Sequence, residues 1–349
     1  MEYRLLGRSG LKVSAFSFGT MTFGGSGMMA GVGQTRGGDA VRQVDMCLEA
    51  GVNLFDTADI YSAGLSEEEL GAALGDRRQR VLIATKAYGP MGRGPNDSGS
   101  SRHHIIEACE ASLRRLKTDY IDLYQMHNQD AVTPTEETLR ALDDLVRAGK
   151  VRYIGSSNFS GWRMMKALAT SDRLGLERYV SQQIQYSLLW RDAEDELLPL
   201  GVEEGVGALL WSPLAGGYLS GKFQGGGEQA EATRLGGRRL ATIDDERARG
   251  IIDRLEAIAA SRDGATASQV ALNWLARKAG VTSVIIGARS DQQLADNLAA
   301  ATWSLSDAEI AQLDDVSKTR PRYPYSHHRS FGGDRNPEPG LQAALAKLA

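Results

Sequence analysis

The chain has 349 residues, of which 42% are hydrophobic and 24% are charged. These proportions exclude a disordered or fibrous protein. Lys and Arg total 40 against 44 Asp and Glu, a formal net charge of −4, and the sequence contains no sustained basic block. A nucleic-acid or anionic-membrane partner is therefore not expected. The length suits either two domains or one large α/β barrel.

The sequence contains no 18-residue apolar run and no apolar stretch near its amino terminus, so we expect a cytoplasmic protein that does not cross a membrane. The two cysteines, Cys47 and Cys109, stand at no metal-binding spacing and are expected to be buried and reduced. The adjacent pairs His103-His104 and His327-His328 lack a carboxylate or cysteine at ligand spacing. We therefore predict no metal site.

The first predicted element is a β-hairpin at the amino terminus. Two short runs, Tyr3–Leu6 and Leu11–Val13, flank the turn Gly7–Gly10. Such a hairpin is suited to closing the bottom of a barrel.

Eight short, apolar runs rich in β-branched residues follow, and each is bounded by Gly, Ser, Thr or Asp. They predict strands at Ala15–Phe18, Val52–Phe55, Val81–Ala84, Tyr120–Met126, Val151–Ile154, Tyr179–Gln183, Gly207–Trp211 and Ser283–Ile286. Because these runs are apolar throughout rather than alternating, we expect parallel strands covered on both faces.

Segments of helical period lie between the runs. They predict helices at Asp39–Ala50, Ser66–Leu74, Ile105–Leu116, Pro134–Ala148, Trp162–Ala169, Asp192–Glu203, Ala267–Ala279 and Asp291–Ala300. Eight alternations favour an α/β fold of the (β/α)₈ TIM barrel type over a doubly wound sheet. The stretch GTMTFGG after the first strand also lacks the G-x-G-x-x-G fingerprint. We expect one domain over 1–349, with 320–349 as a peripheral tail.

Three segments interrupt the alternation. Gly24–Gly38 follows the first strand, and Pro213–Gly237 follows the seventh and precedes an extra helix near Asp244–Arg262. The third, Pro321–Pro339, belongs to the tail. In a barrel the first two segments lie on the face where catalysis occurs. Each is expected to be either a loop that covers a ligand or an ordinary surface loop.

Polar and aromatic residues stand at the carboxyl ends of successive predicted strands. They are Asp56, Tyr61, Lys86, His127, Ser157, Asn158, Gln183, Trp211, Gly287 and Arg289. Catalytic barrels build their sites at this face, so the pattern predicts an active site there.

The residue types indicate acid catalysis at an oxygen. A tyrosine is a weak acid at neutral pH, a neighbouring ammonium such as that of Lys86 favours its phenolate, and a carboxylate such as that of Asp56 keeps the lysine charged. Tyr61 then protonates an oxygen on which negative charge develops, while His127 holds that oxygen and relays its proton.

The sequence resembles the aldo-keto reductase superfamily over nearly its whole length. The similar stretches are FGTMTFGG, NLFDTADIYSAGLSEEELG, VLIATK, DYIDLYQMH, VRYIGSSNF, QYSLLWR, LLWSPLAGGYLSGK and VIIGARSDQQLADN. The long loop after the seventh strand is most similar to that of bacterial members related to potassium-channel β subunits.

The resemblance implies hydride transfer from NADP(H) to an aldehyde or ketone, with Tyr61 as proton donor and Asp56, Lys86 and His127 completing the catalytic set. It implies that the carboxamide and nicotinamide are held by Ser157, Asn158, Gln183 and Trp211, with Asp56 nearby. For the pyrophosphate it implies Ser212, Pro213, Leu214, Ala215, Gly216, Lys222 and Arg234, of which Arg234 follows Lys222 at an irregular spacing. For the adenosine end it implies Gly287, Arg289, Gln293, Asp296 and Asn297, and for the first cofactor-facing turn Gly19, Thr20 and Met21.

The resemblance leaves a second function open, that of an NADPH-binding regulatory subunit of a partner protein with little turnover. Channel β subunits carry Asn where this chain has His127, which favours catalysis. The sequence predicts neither the carbonyl substrate nor the oligomeric state, and the insertion Ser26–Gly37 departs from shorter relatives.

Overall fold

The computed structural model describes residues 1–27, 30–220 and 245–331. In these residues, eight parallel strands close into a barrel in which each strand pairs with the next along the chain and the last pairs with the first. Helices surround the barrel. The predicted (β/α)₈ fold is confirmed.

The amino-terminal hairpin is formed by β1 (Tyr3–Leu5) and β2 (Lys12–Ser14), which pair antiparallel. Leu6, which precedes its turn, and Val13 of β2 are fully buried and pack against side chains from the barrel interior. The hairpin therefore closes one end of the barrel, as the sequence predicts.

The barrel strands agree with the predicted ones in number and order. They are β3 (Phe16–Gly19), β4 (Leu54–Asp56), β5 (Leu82–Ala87), β6 (Ile121–Met126), β7 (Val151–Ser157), β8 (Ser181–Gln185), β9 (Gly207–Trp211) and β10 (Val281–Ile286). Most of them extend further towards their carboxyl ends than predicted, so Asp56 and Lys86 are strand residues rather than loop residues.

The helices also follow the predicted order, including the extra helix expected near Asp244–Arg262, and two further described helices follow the barrel. The described helices are α1 (Gly37–Glu49), α2 (Leu65–Leu74), α3 (Arg102–Leu116), α4 (Thr135–Arg147), α5 (Gly161–Leu174), α6 (Leu197–Glu204), α7 (Asp245–Ala260), α8 (Ala267–Arg277), α9 (Asp291–Ala299), α10 (Asp307–Val316) and α11 (Tyr325–Phe331). The extra helix before the eighth strand is α7, and α10 and α11 follow the barrel.

The predicted helix Asp192–Glu203 is wrong as a continuous element. The chain instead forms a 3₁₀ turn at Asp192–Glu194 and begins α6 at Leu197. Pro199 is the reason, since its ring would clash with the carbonyl of Asp195 inside a continuous helix. In the first turn of α6, Pro199 is tolerated because the N–H groups of a helix's first turn have no intrahelical acceptor.

Side chains of the barrel strands divide between an inner and an outer face. Phe55, Ile83, Tyr124 and Leu210 pack in the clusters beneath the helices. The inner face carries an apolar layer against the hairpin residues, consisting of Leu54, Ala84, Leu123 and Leu209. Since side chains two residues apart share a face, the next inward positions are Asp56, Lys86, Gln125 and Trp211. A polar layer thus lies directly above an apolar one.

The connection after β9 is described as far as Ser220. The predicted cofactor residues Lys222 and Arg234 therefore lie outside the described residues, as does the tail beyond Phe331. Within the described part of the tail, Arg322 forms an ion pair with Asp192 at 3.1 Å. Among the helices that the structure describes, none combines the length and apolar character that crossing a bilayer requires.

We predict that Gly7→Ala destabilises the fold by about 2 kcal/mol or more. Gly7 has φ +60°, and an added Cβ would lie 2.7 Å from the carbonyl oxygen of Val180, against backbone that cannot yield. Chemical denaturation measures the difference. Gly10→Ala, in the same turn with nothing within 4 Å of its Cβ position, is the control and should unfold like the parent chain. Equal stabilities of the two variants would contradict the close packing of the hairpin.

Candidate active site

The site is organised around the amine of Lys86, which is fully buried on β5. Its Nζ lies 2.6 Å from Oδ2 of Asp56, 2.7 Å from the carbonyl oxygen of Thr57 and 3.4 Å from the hydroxyl oxygen of Tyr61. An ammonium has three N–H donors, so each donor has an acceptor. A buried lysine without such partners would be strongly unfavourable.

The second carboxylate oxygen of Asp56 accepts hydrogen bonds from two buried side-chain amides. Gln183 Nε2 lies 2.7 Å and Gln125 Nε2 3.3 Å from Asp56 Oδ1. Both oxygens of this buried carboxylate are therefore satisfied, as buried charges require. Gln183 was predicted as a cofactor residue, and its amide here contacts the carboxylate of Asp56.

Tyr61 is placed by an unusual turn that follows β4. The 3₁₀ segment Tyr61–Gly64 contains Ser62 and Ala63 with φ of +51° and +55°, conformations that are uncommon for residues other than glycine. The Ser62 hydroxyl donates to the Phe23 carbonyl at 2.9 Å and accepts from the Gly25 N–H at 2.9 Å. The loop after β3 thus fixes the turn that positions the tyrosine.

His127 completes the predicted set at the end of β6. Its ring meets the Tyr61 ring edge-on, with centroids 5.6 Å apart. The backbone N–H of His127 donates to the Ala87 carbonyl, and the backbone carbonyl of His127 accepts from Asn158 Nδ2, both at 3.0 Å. The structure therefore brings Asp56, Tyr61, Lys86 and His127 together.

Burial and neighbouring charge determine the protonation states. Burial, reinforced by the charge of Lys86, lowers the pKa of His127 to about 3, so its imidazole is neutral at ordinary pH. Burial acts to lower the pKa of Lys86, but the adjacent Asp56 and Tyr61 raise it above its usual value, so the amine stays charged.

Burial raises the pKa of Tyr61 above its ordinary value, Lys86 acts against this rise, and Asp56 adds to it. Lys86 thus acts on the pKa of Tyr61 in the expected direction. Burial and Asp56 outweigh it, so the pKa of Tyr61 is raised. Tyr61 consequently keeps its proton at neutral pH. Because its oxygen accepts from Lys86, that bond leaves the hydroxyl hydrogen for another acceptor.

The ends of β7, β8 and β9 form a second, connected group of predicted residues. Ser157 Oγ donates to the Gln183 carbonyl at 3.1 Å, and Asn158 Nδ2 donates to Ser157 Oγ at 3.1 Å. Trp211 Nε1 donates to Asn158 Oδ1 at 3.0 Å. The indole is thereby fixed at the rim beside the Asn158 that also binds the backbone of His127.

The turn after β9 has strained backbone at predicted cofactor positions. Ser212 and Ala215 have φ of +56° and +51°, and Gly216 has +70°, while Pro213 is buried and Leu214 half-buried. Left-handed conformations at residues other than glycine tend to occur at functional sites. In the turn after β3, the N–H of Thr20, between Gly19 and Met21, donates to the Asp56 carbonyl at 2.8 Å.

The predicted adenosine residues form a separate cluster after β10. Asn297 Nδ2 donates to the Gly287 carbonyl at 3.1 Å, and Gln293 Oε1 accepts from the Arg289 N–H at 3.0 Å. Asp296 instead accepts from Gln269 Nε2 of α8 at 2.8 Å, so its carboxylate is directed towards that helix. This cluster is distinct from the one around Lys86.

Sequence reasoning missed several buried residues near the site. Gln125 was not singled out, although it stands two residues after the inward Leu123 and opposite Lys86 in register. Glu67 is fully buried and accepts from Thr85 Oγ1 at 2.5 Å and from Arg115 Nε at 2.6 Å. Asp59, also fully buried, lies between Asp56 and Tyr61 in the chain.

Comparison with known proteins matches residues 15–318 to the model of the Aldo/keto reductase family. An uncharacterized oxidoreductase of Bacillus subtilis, YrpG, is 40% identical over 90% of this chain and 96% of its own length. Probable voltage-gated potassium channel β subunits are also similar. The one from Arabidopsis thaliana is 37% identical over 94% of this chain and all of its own length, and the one from Oryza sativa is 36% identical over 92% and 98%.

We predict that Asp59→Asn stabilises the protein increasingly as pH rises from about 4 to 8. Asp59 Oδ1 accepts from the Ile60 N–H at 2.6 Å, whereas Oδ2 is buried without a hydrogen-bond partner among the described residues. Burial, followed by the charge of Glu67, raises the pKa of Asp59 to about 8. The folded state then binds more protons than the unfolded state, whose Asp has a pKa of about 3.9, so stability falls through this window by at most about 1.4 kcal/mol per pH unit.

Urea unfolding of both proteins at pH 5 and pH 8 measures the effect. The exposed Asp76→Asn controls for loss of a carboxylate elsewhere. A difference between Asp59→Asn and the parent chain that stays constant from pH 5 to 8 would show that Asp59 does not titrate in this range.

Proposed function

The chain belongs to the aldo/keto reductase family, whose members are generally NAD(P)H-dependent oxidoreductases, and on that premise we propose that it reduces an aldehyde or ketone to an alcohol with NADPH. The observation that carries the proposal is the arrangement around Lys86. A charged amine contacts a carboxylate and the hydroxyl of a protonated tyrosine, and a neutral imidazole packs against that tyrosine.

Each residue of this set has a distinct task. The tyrosine hydroxyl donates its proton to the carbonyl oxygen of the substrate as negative charge develops there. Lys86 stabilises the phenolate that remains, and Asp56 holds Lys86 in position and keeps it charged. The neutral His127 supplies a ring N–H or nitrogen that orients the same oxygen. The cofactor, when bound, supplies the hydride.

The donor set near the site fits a dinucleotide. Trp211, held by Asn158, offers a flat surface for a nicotinamide ring, and Ser157, Asn158 and Gln183 offer amides and a hydroxyl to its carboxamide. The turn from Ser212 to Gly216 and the first turn from Gly19 to Met21 would hold the pyrophosphate and the nearby ribose. Gly287, Arg289, Gln293, Asp296 and Asn297 would hold the adenosine end.

Arg289 favours NADPH over NADH within this proposal. A 2′-phosphate requires a cationic donor, whereas a free 2′-hydroxyl usually binds an acidic residue. Arg289 lies just before the amino terminus of α9, where Ser290 caps the helix. The dipole of a helix amino terminus also favours an anion.

The rival function is that of a regulatory subunit that binds NADPH with little turnover. It is supported by the similarity to proteins named as probable potassium channel β subunits. The presence of His127 beside Tyr61 favours catalysis. Incubation with NADPH and a panel of aromatic aldehydes and bulky ketones separates the two, since tight NADPH binding without any turnover would favour the regulatory function.

The proposal also includes a small carbonyl compound as substrate, a single barrel domain over 1–349 and a cytoplasmic location. The two buried free cysteines, Cys47 and Cys109, are compatible with a reducing compartment.

We predict that Tyr61→Phe lowers the rate of carbonyl reduction by a factor of about 10²–10⁴, the usual contribution of general acid catalysis. The ring and its packing on His127 are retained while the transferable proton is lost, so the dissociation constant for NADPH should change little. Steady-state kinetics and equilibrium binding measure the two quantities.

Tyr124→Phe is the matched control for the loss of a buried tyrosine hydroxyl. That hydroxyl donates to the Ile105 carbonyl at 3.2 Å, on the outer face of β6. Its loss should reduce stability by about 1 kcal/mol and leave turnover intact. Retention of most of kcat in Tyr61→Phe would exclude Tyr61 as the proton donor.

We predict that Arg289→Ala weakens NADPH binding by about 1.5–3 kcal/mol, the value of a hydrogen bond to a charged group, and leaves NADH binding nearly unchanged. Calorimetric titration with each cofactor measures the difference. Arg42→Ala is the control, because its exposed guanidinium is already paired with Asp39 and Asp291. Equal losses for both cofactors in Arg289→Ala would show that Arg289 does not recognise the phosphate.

A further inference from the structure

The loop between β3 and α1 contacts the side chain of Arg289. Arg289 Nε donates to the carbonyl oxygen of Val32 at 3.1 Å, and its Nη2 lies 3.4 Å from the carbonyl oxygen of Gly31. These contacts join positions more than 250 residues apart in sequence. They are possible because β3 and β10 are neighbours in the closed barrel, so the loops that leave them meet.

The part of the loop that contacts Arg289 is itself fixed against the beginning of the same loop. The Thr35 N–H donates to the Thr22 carbonyl at 3.1 Å, and the Gly24 N–H donates to the Thr35 carbonyl at 3.0 Å. Val32 is buried. Gly33 packs so closely on Thr22 that an added Cβ would lie 2.7 Å from the Thr22 carbonyl oxygen. The two carbonyls that face Arg289 therefore have a defined position.

Backbone carbonyls orient a guanidinium without neutralising it. They carry no formal charge, so these two contacts orient the guanidinium of Arg289 without cancelling its positive charge. Arg289 is an exposed residue, and a free arginine side chain has many rotamers. Holding such a side chain in place before binding removes the entropic cost of ordering it when the ligand arrives.

We propose that the segment Gly31–Gly33 determines the preference for NADPH over NADH by orienting Arg289 for the 2′-phosphate. The segment acts as a positioning element, and Arg289 makes the contact with the ligand. This inference rests on the proposed function in one respect, namely that the phosphate binds Arg289. It gives the insertion after β3 a role at the adenosine end of the cofactor.

Gly33→Ala tests the proposal, because the added methyl must displace the segment from Thr22. We expect the NADPH dissociation constant to rise about three- to tenfold, corresponding to the ordering of one flexible side chain, and that of NADH to change less than twofold. Calorimetric titration without substrate supplies both constants independently of turnover. Gly31→Ala is the matched control, since nothing lies within 4 Å of its Cβ position and its carbonyl is retained.

The Arg289→Ala background provides the decisive comparison. If the segment acts through Arg289, Gly33→Ala has no further effect on NADPH binding in that background; additive losses would overturn the proposal. Val32→Ala, which loosens the anchor without adding a clash, replaces Gly33→Ala if the latter does not fold.

The result also separates this inference from the proposed function. A selective loss of NADPH binding in Arg289→Ala, without a selective loss in Gly33→Ala or Val32→Ala, would overturn the role of the segment and leave the role of Arg289 intact. Equal losses of NADPH and NADH in Arg289→Ala would overturn both.

Discussion

The ion pair between Lys86 and Asp56 is the interaction on which the site depends. Both charges are buried inside the barrel, where an unpaired charge would be strongly unfavourable. Full satisfaction of the amine requires acceptors from β4 and from the two segments that follow it, at Asp56, Thr57 and Tyr61. The same requirement that keeps Lys86 stable inside the barrel therefore fixes the distance between the amine and the tyrosine hydroxyl.

The apolar layer beneath the site makes this polar layer possible. The hairpin closes one end of the barrel with Leu6 and Val13, which pack on Leu54, Ala84, Leu123 and Leu209. Water is thereby excluded from below, and the low polarity strengthens the hydrogen bonds of the layer above. Exclusion of water also explains why His127 is neutral, since burial is the main cause of its lowered pKa and the charge of Lys86 adds to it. A protonated imidazole at His127 would be repelled by the ammonium of Lys86.

The sequence predicts the features that short-range patterns encode. Apolar runs gave the eight strands in order, and residues at their ends gave the set Asp56, Tyr61, Lys86 and His127, because parallel strands in a barrel present their carboxyl ends at one face. It does not predict features that depend on contacts between distant segments. The contact of Arg289 with the loop after β3 and the buried cluster around Glu67 require knowledge of which loops and helices meet. The raised pKa of Tyr61 likewise depends on the balance between burial and two opposite charges, and composition does not give that balance. Pro199, by contrast, was visible in the sequence and marked where the predicted helix Asp192–Glu203 divides.

The group around Tyr61 and the cation Arg289 lie in separate clusters. Around Tyr61, one buried positive charge is balanced by one buried negative charge, with the tyrosine and the imidazole both neutral. Under the proposed function, the negative charge that develops on the carbonyl oxygen would therefore form beside a pair of charges that already balance each other. The cation suited to a phosphate, Arg289, is instead exposed at the end of β10, in a cluster distinct from the one around Lys86, and is held by neutral carbonyls of the loop after β3. That same loop bonds to Ser62, the neighbour of Tyr61 in the chain. One loop therefore contacts both Arg289 and the neighbour of Tyr61, and a change in its conformation would affect the positions of both side chains.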